Sequence, residues 1–148
     1  MTSDSDSRTQ TKAGQGDCLN RGFLVGHGLD VVDIADFSRL LRYPAKDHLH
    51  RYFTKAEMDA AGDGVTQIQR LAGRFAVKEA VMKALGTGWG NGIAFTDVEV
   101  VTLESGAPTV VLKRELSKLA QAQTLSRWLV SVSHTSTVAV ASVIAIGS

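Results

Sequence analysis

Four charged side chains fall inside one apolar run. Arg74, Lys78, Glu79 and Lys83 are interleaved with Leu71, Phe75, Val77, Val81, Met82 and Leu85, and the run closes on Gly86-Thr87-Gly88. A helix of this composition is apolar around most of its circumference and buries itself on several sides. Charges carried into that setting need partners: a ligand, a metal or one another. Three cations around one carboxylate suit a site for an anion held partly through a metal ion. Two plainer readings stand beside it. Glu79 and Lys83 are four apart with the acid first, the favourable order for a helix ion pair of about 0.2–0.5 kcal/mol. Lys78 projects onto the stripe of Leu71, Phe75, Met82 and Leu85, from which a lysine can snorkel to water.

Two further places carry chemistry. Asp30 lies in Gly28-Leu29-Asp30-Val31-Val32-Asp33, where an acid can bind a cation or cap the next helix. His134 lies in Ser133-His134-Thr135, where it is either a ligand contact or a turn residue.

These groups need elements to position them. Phe23 to Leu29 suits a short strand whose glycines permit close backbone approach. Asp33 is placed to cap a helix holding Ile34, Phe37, Leu40 and Leu41, which Pro44 should end. Phe53-Thr54-Lys55-Ala56-Glu57 is a capping box behind a staple residue, opening a helix to about Ala61. Gly62-Asp63-Gly64 breaks the chain before a long helix from Gln67 to Leu85. Asp97–Leu103 and Thr109–Leu112 read as strands, with a turn between them. Ser117–Gln123 is expected to be helical, and Arg127–His134 and Thr137–Ile146 to form a hairpin turning near Thr135-Ser136. Helices early and antiparallel strands late predict an α+β domain.

The 148 residues suffice for one domain, and 44% hydrophobic with 21% charged residues is an ordinary globular balance. A net charge of +1 gives no global reason to expect nucleic acid or a membrane surface. The one cysteine, Cys18, excludes an internal disulfide framework and suits a reducing cytoplasm. Residues 1–20 are rich in Ser, Thr, Asp, Gly and Gln, without the apolar stretch of a secretion signal, and read as a disordered leader ahead of a domain at 21–148.

Four segments keep a common order and spacing: Gly28 to Ile34, Phe53 to Glu57, the Lys78-Glu79-Ala80-Val81-Met82-Lys83 core of the long helix, and Ser133-His134-Thr135. From about Val25 to Ile146 the chain resembles the holo-acyl-carrier-protein synthases, the small trimeric 4′-phosphopantetheinyl transferases. The resemblance implies a single domain with its long central helix packed on an antiparallel sheet, assembled as a homotrimer with sites at subunit boundaries. It implies transfer of 4′-phosphopantetheine from coenzyme A to a serine of apo-acyl carrier protein, releasing adenosine 3′,5′-bisphosphate, in the cytoplasm and with magnesium. Asp30 and Glu79 then resemble the metal ligands, and Lys83 the cation that neutralises a coenzyme A phosphate and the leaving group. Arg74, His134 and Thr135 resemble contacts to the nucleotide 3′-phosphate, and Gly86, Thr87 and Gly88 the backbone close to the cofactor. The resemblance leaves two acceptors open for the serine proton, Glu79 or a magnesium-bound water. The competing reading is a non-catalytic coenzyme A or acyl-carrier-protein binding module. At one position the chain departs from the family: Asp36 stands where many members carry an arginine that grips the acidic carrier, leaving Arg39, Arg42, Lys46 and Arg51 to form a basic face.

Overall fold

The computed structural model describes residues 22–42 and 48–148; Cys18, Pro44 and Lys46 lie outside them. The elements run β1 (Phe23–Asp33), α1 (Ile34–Arg42), α2 (His48–Tyr52), α3 (Lys55–Ala61), α4 (Gln67–Leu85), a 3₁₀ turn at Phe95–Asp97, β2 (Val98–Thr102), β3 (Pro108–Leu112), α5 (Arg114–Ala122), β4 (Leu125–His134) and β5 (Val138–Gly147). Together they form the expected α+β domain. β1 extends four residues past the expected Leu29, because it pairs with β5 as far as Asp33–Val138.

The main sheet is antiparallel in the order β1-β5-β4, and β2 and β3 form a separate pair. Along β5 every second residue is buried, Ala139, Ala141, Val143 and Ala145 among them. These small side chains let α4 lie close over the sheet. Directly paired residues share a sheet face, so Gly28, Asp30 and Val32 of β1 and Val132 and His134 of β4 are on this inner face with them. The outer face carries Leu29, Val31 and Leu129, which are 51%, 61% and 47% exposed. Apolar side chains standing so far in water are unusual when contiguous, and they mark a surface that another protein surface can cover.

The long helix begins and ends where its sequence signals put it. Gly86 closes it in the left-handed region at φ 69°, donating its N–H to Lys83 and Met82 carbonyls. Among the buried residues of α4 is Lys78. It neither snorkels to water nor reaches a ligand cavity. Its Nζ is fully buried against Glu57 Oε2 at 2.9 Å and donates to the carbonyls of Phe95, at 3.0 Å, and Val98. Burial lowers the Lys78 pKa, opposed by the charge of Glu57. Glu57 also plays a second part, completing the capping box with Thr54 and accepting the Val100 N–H at 2.9 Å. One carboxylate thus fastens α3, α4 and β2 together. No helix among the described residues is long and apolar enough to cross a membrane.

Candidate functional site

Asp30 reaches its place through two glycines. A Cβ on Gly28 would stand 1.8 Å from the Ala80 carbonyl oxygen, and one on Gly26 2.0 Å from that of Ala84. Both distances are impossible for a side chain, so β1 presses its bare backbone onto α4. This contact sets Asp30, two residues beyond Gly28, against the part of the helix that carries Glu79 and Lys83. Lys83 Nζ donates to Asp30 Oδ1 at 3.0 Å and to the Leu29 carbonyl at 2.9 Å. The intrahelical Glu79–Lys83 pair suggested by their spacing is replaced by this cross-element pair. Glu79 takes a different donor, the indole N–H of Trp89, at 3.1 Å from Oε2.

Asp30 and Glu79 line one cavity of about 360 Å³, whose wall includes Asp33, Asp36, Phe37 and Phe75. Glu79 is half-buried. Burial raises its carboxyl pKa first; the Trp89 hydrogen bond opposes this, while the nearby Asp30 charge raises it further and Lys83 lowers it. A carboxylate that burial and a neighbouring acid make harder to ionise is relieved by a cation bound between the two. Both supply hard oxygen donors from rigid elements, and a magnesium ion commonly uses one or two carboxylates, with water and substrate phosphates filling its other positions. The donor set therefore fits magnesium. Asp33, the expected helix cap, accepts the Asp36 N–H at 2.9 Å, and Asp36 pairs with Arg39. An acid is at home in the first turn of α1.

Arg74 and His134 come together elsewhere. They line a second cavity, of about 270 Å³, with Arg70, Gly73, Thr102 and Val132. Arg74 Nη1 donates to the Arg70 carbonyl at 3.3 Å, but its Nε is buried without a partner. Burial, with Arg70 adding to it and Glu57 opposing, lowers the Arg74 pKa. A desolvated guanidinium with an idle donor beside a second arginine is a natural seat for a phosphate. His134 enters from the end of β4 and is exposed.

The two cavities share no residue and flank α4 on different sides. Arg74 and Glu79 are five residues apart, about 140° around the helix. Asp30 and His134 sit on the two edge strands with β5 between them, on the order of 10 Å apart across the sheet. The remaining expected contacts are structurally occupied. Thr135 Oγ1 accepts the Thr137 and Val138 N–H groups in the hairpin turn. Gly86 caps the helix, and Thr87 Oγ1 donates to the Gly88 carbonyl at 3.4 Å. Trp89 and its bond to Glu79 carry no signal in the sequence, since tryptophan after a helix-ending glycine has many uses.

Residues 26–143 match the model of the 4′-phosphopantetheinyl transferase superfamily. The holo-acyl-carrier-protein synthase of Gloeobacter violaceus is 41% identical over 126 residues, covering 84% of this chain and 95% of that protein. That of Geobacter sulfurreducens is 40% identical over 121 residues, covering 82% and 96%. Among solved structures, the Bacillus anthracis synthase in complex with coenzyme A (3′,5′-ADP) superposes with a TM-score of 0.69 at 30% identity, covering 84% of this chain and 98% of that one. The Neisseria meningitidis synthase gives 0.75 at 29%, covering 83% and 98%.

Proposed function

The chain belongs to the 4′-phosphopantetheinyl transferase superfamily, and from that premise we infer how its own residues carry out the reaction. It transfers the 4′-phosphopantetheine group of coenzyme A to a serine of apo-acyl carrier protein. The observation that carries the assignment is the convergence of Asp30 and Glu79 on one cavity, with Lys83 paired to Asp30. In the transfer, the serine hydroxyl gives its proton to Glu79 or to a water, and its oxygen bonds to the phosphorus on the pantetheine side of the diphosphate. The bond from that phosphorus to the bridging oxygen breaks, and adenosine 3′,5′-bisphosphate departs with the electron pair. The reaction demands positioning and stabilisation of growing negative charge. Asp30 and Glu79 would hold a magnesium ion, which when bound supplies positive charge to the diphosphate. Lys83 adds a fixed ammonium beside them. Arg74 and His134 bind the nucleotide's 3′-phosphate, the Arg74 Nε supplying an otherwise unused donor.

Incubating the chain with coenzyme A, magnesium and apo-acyl carrier protein adds one phosphopantetheine unit to the carrier, read by mass spectrometry. Binding without a gain in mass would instead identify a non-catalytic module. In the same assay Lys83→Ala slows transfer about 100-fold or more. Its melting temperature falls by less than about 5 °C, because its pair with Asp30 is half exposed on the lysine side and such pairs contribute about 1 kcal/mol or less. Equal losses of rate and stability would make Lys83 a structural residue.

The working unit is a homotrimer in which each site joins Asp30, Glu79 and Lys83 of one chain to Arg74 and His134 of its neighbour. Two features support this: the anion cavity and the carboxylate cavity flank α4 on different sides, and Leu29, Val31 and Leu129 leave an apolar outer sheet face exposed. Co-expressed Glu79→Ala and Arg74→Ala chains, each inactive alone, regain activity in mixed assemblies, with roughly a quarter of sites whole at random mixing around a closed ring. A mixture no more active than its parents would confine the site to one chain.

Arg42 and Arg51, both exposed, form the basic face for the acidic carrier in the cytoplasm. Carrier binding accordingly weakens as ionic strength rises. A dissociation constant unchanged between low and high salt in calorimetry would remove charge from the docking step.

A further inference from the structure

Besides the charges of Asp30 and Lys83, Glu79 meets a neutral partner, Trp89. Its indole N–H is 3.1 Å from Oε2, and among the described residues this is the only hydrogen bond the Glu79 carboxylate makes. The ring that donates it is not free to drift. Trp89 stacks on Phe95 with centroids 3.8 Å apart and planes 20° from parallel. Phe95 stacks in turn on Phe75 at 5.4 Å and 15°, and meets Tyr52 edge-on at 4.9 Å. The backbone of Phe95 is fixed as well, because its carbonyl accepts the buried Lys78 ammonium at 3.0 Å. An unbroken line of contacts therefore runs from the buried Glu57–Lys78 pair through Phe95 and Trp89 to Glu79.

We propose that Trp89 is the positioning residue of the cation site: its indole N–H engages Oε2 of Glu79 and leaves Oε1 as the oxygen available to a divalent ion. The proposal rests on the reading of Asp30 and Glu79 as cation ligands. A glutamate has three rotatable side-chain bonds and, without a partner, samples several rotamers at an entropic cost when it is fixed. A neighbour that fixes it in advance lowers the cost of binding, and groups that orient a ligating side chain in this way typically contribute 10–100-fold in metal affinity. Trp89 touches no reacting atom in this role. It also belongs to the loop directly after Gly86-Thr87-Gly88, so the loop and the ion-binding carboxylate are mechanically joined.

Trp89→Phe keeps a ring to stack on Phe95 and deletes only the donor. Manganese binding, followed by the paramagnetic resonance of the free ion in the presence of coenzyme A, weakens about 10-fold or more. Coenzyme A affinity measured without metal stays at the parental value. Saturating manganese restores most of the transfer rate, a split that general damage to the fold does not produce. Unchanged manganese affinity in Trp89→Phe overturns the inference. A parent protein that binds no manganese sinks instead the cation-site reading on which it rests. A second arm needs no change at position 89. The chain has two tryptophans, so in a Trp128→Phe background the emission belongs to Trp89, and manganese quenches it with the same midpoint as ion binding. The added substitution Glu79→Gln removes that quenching, and emission unaffected by manganese while the ion binds would likewise overturn the inference.

Discussion

Glu79→Ala lowers the transfer rate by at least about 100–1000-fold, the scale on which single groups that organise charge in a transition state act, and leaves the domain folded. The two halves of this expectation have separate causes. Removing the carboxylate leaves Asp30 as the one remaining proposed ligand at the cavity, and Asp30 is already engaged by Lys83 at 3.0 Å. The Asp30 charge is then balanced by Lys83, and on the proposed reading a divalent ion would find one oxygen ligand in place of two. Stability changes little, because Glu79 makes one hydrogen bond, to Trp89, of about 1 kcal/mol. That loss is offset by removing an acid whose ionisation burial and Asp30 already disfavour. Single-turnover transfer and urea unfolding read the two halves independently. A parental rate for Glu79→Ala under magnesium would end its assignment as a ligand, and a variant that no longer folds would make it a core residue.

Lys78→Met produces the opposite pattern: a loss of about 3–5 kcal/mol in stability, as when one partner of a buried ion pair is removed. Total stabilities of such domains are about 5–15 kcal/mol, so the urea midpoint falls severely. The cause is what remains. Glu57 is 1% exposed and still accepts the Thr54 and Val100 N–H groups, so its carboxylate cannot swing to water. It stays as a buried charge with no counter-ion. Adding Glu57→Gln to Lys78→Met recovers part of the loss, since a neutral amide can accept one of those N–H groups without a charge to desolvate. A single-variant loss below about 1 kcal/mol would mean that water reaches the pair, and a double variant less stable than Lys78→Met would place the damage in packing.

Features whose causes are local were legible in the sequence. Thr54 and Glu57 are three apart and form the expected capping box. Gln67–Leu85 ends at Gly86 because only the residues around Gly86 decide it. The hairpin after His134 is set by hydrogen bonds within a few residues of Thr135. What escaped are second roles that depend on partners far along the chain. Glu57 as a cap was readable; Glu57 as the counter-ion of a residue 21 positions later was not. Lys78 lies on an apolar stripe by periodicity, which says where its stem goes and nothing of what waits for its ammonium. The far half of β1 forms because β5 is there to pair with it. Spacing also misassigned the partner of Lys83, since an i,i+4 acid is available to it but Asp30, 53 residues away in sequence, takes it. At the site, resemblance brought Asp30 and Glu79 together, whereas the idle Arg74 Nε and the Trp89 donor became visible only in three dimensions.

The contact of Gly26 and Gly28 with the carbonyls of Ala84 and Ala80 bears no reactive group, yet it behaves as the ruler of the enzyme. The span between the two acids is inherited from how near a naked strand can come to a helix. The reach between Asp30 and the helix that bears Glu79 is locked by a pair of missing methyl groups.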